Sequence, residues 1–113
     1  MTRAPHPLQD ELLDRILDAL PPGTDVRVVA MFGGRAVMLE DAMLVSAGKD
    51  GSLLVRCDPA RHAELLTRPG ARQAVMGRDR SMGEGWLEVD AGSLEADTAL
   101  TSWLEVALAF HDR

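Results

Sequence analysis

The sequence predicts an α+β domain in two layers: an antiparallel sheet of five to six strands with three helices on one side, in the order α-β-β-β-β-α-β-α. Three observations carry this. Apolar residues repeat at helical spacing near both ends, at Leu8, Leu12, Leu13, Ile16, Leu17 and Leu20 and again at Leu100, Trp103, Leu104, Ala107 and Leu108. Between these two stretches lie short runs rich in β-branched residues. The breaks between the runs are a few residues long, which suits antiparallel neighbours and leaves no room for parallel crossovers.

The first helix is expected over about residues 8–20. Asp10, Glu11, Asp14 and Asp18 fill its polar side, the acids lie toward the positive end of the helix dipole, and Pro21-Pro22-Gly23 stops it. "VRVVAMF" then reads as a strand. Gly33-Gly34 supplies a reversal in which the backbone takes a positive φ, assigned here to Gly34, and the chain returns along residues 36–39. Glu40-Asp41 is the next break, residues 42–47 the third strand, and Asp50-Gly51 a hairpin signal before residues 52–57.

Asp58-Pro59 opens a second, short helix, with an acceptor at the cap and proline in the first turn, and Pro69-Gly70 ends it. Residues 70–85 show no period and read as a loop or ragged strand leading into "GWLEVD". Asp97 is expected to cap the last helix, which runs to about Phe110.

At 113 residues, with 46% hydrophobic and 27% charged composition, the chain supports one core and hence a single domain over residues 1–113. No run reaches signal-peptide or membrane-span length, and the expected location is the cytoplasm. The single cysteine, Cys57, cannot form an intrachain disulfide and suits a reducing compartment. The net charge of −6 argues against direct nucleic-acid binding, which depends on phosphate neutralisation. Charge is also polarised. Arg56, Arg61, Arg68, Arg72, Arg78 and Arg80 cluster in one segment, while residues 84–105 carry six acids and no base.

Possible chemical sites are few. Gly33-Gly34 lacks the third glycine of a dinucleotide motif and the Gly-Lys-Ser/Thr of a phosphate loop, and a strand follows it instead of a helix. Cys57 and His62 could pair as thiolate and base, but a strand-to-helix turn separates them, and Cys57 shares a strand face with Leu53 and Val55. Glu88 and Asp90 share a face beside Trp86, most simply the solvent side. Trp86 and Trp103 read as core residues. His6 and His111 have no metal-ligand spacing, so neither metal nor cofactor is expected. Arg35, Arg72, Arg78 and Arg80 stand as candidate contacts to an anion or a partner.

"MFGGRAVML", a hairpin, "LLVRCDPARHAELL", "MGEGWLEVD" and a final Trp-containing helix together resemble the N-terminal domain of the TfoX/Sxy family. The most specific positions are Met31, Phe32, Gly33 and Gly34, with Gly85 and Trp86. The resemblance extends from the first helix to the C-terminus. It implies a small α/β domain with a secretion-chaperone-like arrangement, here in stand-alone form, in a family named after a bacterial regulator of genetic competence. It carries no chemistry over to these residues. The functional expectation is therefore a non-enzymatic interaction or regulatory module acting through protein contacts. The alternative is a binder of anionic small molecules, or an enzyme, using the arginine-rich segment 56–80.

The strands also suggest a partner. Val26, Val28, Ala30 and Phe32 alternate with Val29 and Met31, Met43, Val45 and Ala47 with Leu44, and Leu53 and Val55 with Leu54, so these strands are apolar on both sides. With helices on one side only, Val29, Met31, Leu44 and Leu54 would form an exposed patch, and a homodimer through that face or the adjoining strand edge is expected.

Overall fold

A computed structural model describes residues 6–31, 33–77 and 80–112. Phe32 and Arg78 lie outside the described residues. Three helices pack on one side of a six-stranded antiparallel sheet, in the predicted element order. The first helix, α1, spans Pro7–Ala19. Leu12, Leu13 and Ile16 are buried along it, whereas Leu8 and Leu17 face solvent at 54% and 39% exposure. The apolar stripe is thus narrower than its spacing suggested. Gln9 takes the place beside it, buried, with Nε2 donating to the Ala47 carbonyl at 2.9 Å and the Gly33 carbonyl at 3.2 Å.

Four strands follow as a meander: β1 (Val26–Met31), β2 (Gly34–Leu39), β3 (Ala42–Ala47) and β4 (Leu53–Arg56). Gly33, at φ +79°, makes the first reversal. The expectation of positive φ at Gly34 is corrected: Gly34 is the first residue of β2, and its need for glycine is one of space. A Cβ there would lie 2.5 Å from Ser46 Oγ and 3.3 Å from the Ala47 carbonyl oxygen. At the β3–β4 turn the Asp50 carboxylate accepts from the Ser52 amide at 3.0 Å and the Ser52 hydroxyl at 2.7 Å. Asp58 opens the next segment as its cap, accepting from the Ala60 amide, and a 3₁₀ turn leads into α2 (His62–Leu65).

Residues 70–85 hold more structure than their composition indicated. They contain β5 (Ala71–Gln73) and a separate hairpin of β6 (Val75–Met76) and β7 (Arg80–Ser81). Then β8 (Trp86–Val89) inserts between β4 and β5, giving the order β1-β2-β3-β4-β8-β5. The last helix, α3, spans Asp97–His111. Ala96 sits at its cap position, and Asp97, expected there, is its first residue and accepts from Arg15 Nη2 at 3.2 Å.

Between sheet and helices lies the core. Val37, Val45, Val55 and Leu87 form one cross-strand row, Ala47, Leu53 and Val89 the next, all with no exposed surface. Ile16 of α1 and Leu100, Trp103 and Leu104 of α3 close over them. A bulge interrupts the alternation of β3: Val45 faces Val37 and Met43 faces Met38, leaving Leu44 unpaired between them. Leu44 therefore packs in the core cluster at 2% exposure, and the expectation that it lies on the second sheet face is corrected.

Candidate functional site

The side of the sheet away from the helices carries one row that crosses all six strands: Val29, Ala36, Ser46, Leu54, Glu88 and Arg72. Met31 and Gly34 flank it at one end of the strands, Met38 and Met43 at the other. Over part of this face stands the β6–β7 hairpin. Together they enclose a groove of about 500 Å³, with Gly34, Ser46, Leu54 and Glu88 from the sheet, and Val75, Met76 and Met82 from the arm. Four of the six methionines of the sequence, Met31, Met43, Met76 and Met82, line it. Lys49 and Asp50 stand at its edge.

The base of the arm is fixed by a polar network in which His62 is central and buried. Its Nδ1 accepts from the Gly85 amide at 2.9 Å, so the ring proton sits on Nε2, which donates to Gln73 Oε1 at 2.7 Å. The Gln73 amide nitrogen then donates to the carbonyls of Ala74, Gly83 and Trp86 at 3.0–3.3 Å. Both sides of the arm are thereby tied to α2 and β8. In the hairpin beyond, Val75 and Met76 remain 53% and 42% exposed.

The candidate residues separate clearly. Val29, Met31 and Leu54 lie together on the helix-free face, and Trp86 is half-buried at the start of β8. Arg35 is half-buried and sits opposite Ala47, in the helix-facing register of Val37. Arg72 is bound to Glu88, with Nε at 2.7 Å and Nη2 at 2.5 Å from Oε1. Arg56 lies over the Phe110 ring and Arg68 over the Trp103 ring, 4.9 and 5.0 Å from the centroids. Arg80 is exposed on the arm. Glu88 and Asp90 are not a pair: Glu88 holds Arg72, and Asp90 accepts from the Gly92 amide. Cys57 and His62 are not arranged as nucleophile and base, since both imidazole nitrogens are taken by Gly85 and Gln73.

Burial pushes the Cys57 thiol above its ordinary pKa, the nearby Arg61 charge opposing this only in part. Iodoacetamide at mildly alkaline pH should leave Cys57 unmodified in the folded protein and label it at the rate of unfolding. Rapid labelling under native conditions would contradict the buried position. The Asp50 carboxyl is lowered, chiefly by the Ser52 hydroxyl and then by the Ser52 amide. A depressed folded value stabilises fully above the unfolded pKa and is lost as pH falls through the folded one. Asp50→Asn should therefore make the urea midpoint less steep in pH below about 4, and leave its slope unchanged at neutrality. An acid limb identical to the parent would remove the Ser52 contacts from the account.

The arm and the methionine lining were not anticipated from the sequence. The signal that could have located the arm is Gly77 and Gly83 punctuating a stretch with Val75 and Met76 on one side and Arg80 and Ser81 on the other. Among the described residues no group of three or more His, Cys, Asp or Glu is placed to hold a metal ion, and no helix is long and apolar enough to cross a membrane.

A two-layer α+β domain with an antiparallel sheet, helices on one side and a groove on the other is the class that the geometry defines. The family model of the TfoX N-terminal domain matches residues 18–111, nearly the whole chain, and the protein belongs to that family. No curated protein and no solved structure matches the chain.

Proposed function

We propose that this protein is a non-enzymatic interaction module that holds an apolar segment of a partner protein in the methionine-lined groove of its helix-free face. The observation that carries the reading is the lip of the groove. Among the described residues, Val75 and Met76 are the large apolar side chains of the sheet side that stand exposed, and they line the groove with Met31, Met43, Leu54 and Met82. Methionine side chains are unbranched and polarisable and adapt to different apolar shapes, which suits protein docking better than recognition of one rigid small molecule. The anionic-ligand alternative finds less support, because Arg56, Arg68 and Arg72 are engaged within the chain. A regulatory role would follow from whichever partner the groove selects.

A photoreactive side chain at position 76, compared with one at the exposed Glu105 of α3, tests this in the native cell. The expected result is a discrete protein adduct from position 76 alone, lost when Leu54→Arg is added. Leu54 is half-buried outside the core, so that substitution should cost no more than about 1 kcal/mol of stability. Equal adducts from both positions, or an adduct indifferent to Leu54→Arg, would overturn the groove as the docking site.

A further inference from the structure

We infer that two copies of the chain join through the outer edges of β1, antiparallel and with Val29 on the two-fold axis, into one continuous sheet. This does not rest on the groove reading, although Met31 and Lys49 at the rim of the groove lie beside the joint. Edge strands of soluble proteins are ordinarily blunted by shortness, proline, bulges or lysines. The far edge, β5, is only three residues long and carries Arg72. In contrast, β1 runs for six residues, "VRVVAM", with no proline, no bulge against β2, and one charge. Its outer side has no strand partner among the described residues.

Charge decides between the possible occupants and between their orientations. Asp25, Glu40 and Asp41 gather at one end of the β1–β2 hairpin together with Arg27; Arg27 pairs with Asp41 at 3.7 Å and His111 with Glu40 at 3.0 Å, which leaves Asp25 as the acid there with no ion pair among the described residues. Lys49 lies over the turn at the other end, 3.8 Å from where a Gly33 side chain would begin, and Arg35 is two residues further on. Neither Lys49, Arg35 nor Asp25 forms an ion pair among the described residues. A second copy laid antiparallel along β1 sets the acidic end of each hairpin against the basic end of the other. No other partner has to be assumed to obtain this complementarity.

Sheet geometry restricts the register, and the pairing of Asp25 with the partner's Lys49 selects Val29. Across an antiparallel pair, opposed residues share a face, so a two-fold axis perpendicular to the sheet must pass through a residue that faces itself. With Val29 there, Val28 faces the partner's Ala30, Arg27 faces the partner's Met31, and Asp25 faces the partner's Gly33 beside the partner's Lys49. A register centred on Arg27 would oppose like charges and is disfavoured. The row from Val29 to Glu88 then continues through the axis, and both grooves open on the same side of the joined sheet.

Analytical ultracentrifugation at micromolar concentration tests this. The expected species is a dimer of the 12.2 kDa chain. Ala30→Lys, at an exposed position of β1, should weaken dimerisation by about tenfold or more with an unchanged far-UV circular dichroism spectrum, and should remove the concentration dependence of the melting temperature. Asp25→Lys should also weaken it, and adding Lys49→Asp to the same chain should restore it. A monomeric parent, a dimer indifferent to Ala30→Lys, or no restoration by the exchanged charges would each overturn the inference.

Discussion

Gly85→Val should destabilise the domain by about 3 kcal/mol or more, with the melting temperature falling by roughly 10–20 °C. Gly85 has φ +97°, a region that strains any residue with a Cβ, and a β-branched one most. Space is lacking as well: a Cβ there would meet the Cys57 carbonyl oxygen at 3.1 Å and Pro59 Cγ at 3.3 Å. Relief would require moving the backbone of Gly85. That backbone donates to His62 Nδ1 at 2.9 Å and accepts from the Cys57 amide at 2.8 Å, so the move would also unpair buried groups. Urea unfolding measures the effect. A loss below about 1 kcal/mol, the size of an ordinary glycine replacement, would show that neither strain nor crowding acts there.

Trp103→Ala should cost about 3–5 kcal/mol, the range for removing a large buried aromatic side chain. Trp103 is 3% exposed in the middle of α3 and packs in the single cluster that joins both long helices to the sheet. One face of its ring also carries the Arg68 guanidinium, which donates from Nη1 to Ser102 Oγ at 3.0 Å. The alanine variant would leave a cavity below a cation that had been held against the ring. Arg68→Ala should cost far less, about 1 kcal/mol, because it leaves the cavity filled. A Trp103→Ala variant with near-parent stability would place Trp103 outside the core.

Local signals read well from the chain where the turn chemistry is local. Pro21-Pro22-Gly23, Glu40-Asp41, Asp50-Gly51 and Asp58-Pro59 each mark a break that the structure contains, because those residues act through their own backbone and immediate neighbours. The features that were misread depend on distant partners. Gly34 is needed because β3 brings Ser46 close, not because of its own φ. The bulge at Leu44 sits in a plain apolar run with neither glycine nor proline to announce it, and it turns an apparent surface residue into the core.

The site was less legible than the fold for the same reason. An arginine-rich segment looks available for ligands until Glu88, Phe110 and Trp103 are seen to hold Arg72, Arg56 and Arg68. In the sequence His62 stands only as a possible base for Cys57, yet it ties α2, Gln73 and Gly85 together. Conversely, methionines at 31, 43, 76 and 82 are scattered in sequence, and only the sheet register and the arm bring them to one groove. The double-sided apolar character of β1 and β4 did point to the helix-free face, through Val29, Met31 and Leu54.

The claim that this face docks a partner protein is tested most directly by the oxidation rates of its methionines. Brief peroxide treatment, with each methionine followed by mass spectrometry, should oxidise Met76 and Met82 readily in the purified protein, where Met76 is 42% exposed and Met82 half-buried. The same treatment of cells holding the protein at its natural level should find both residues protected severalfold, with Met38, on the same face outside the groove, less affected. Equal rates at Met76 and Met82 in the cell and in isolation would mean that the groove stands empty, and would contradict the account.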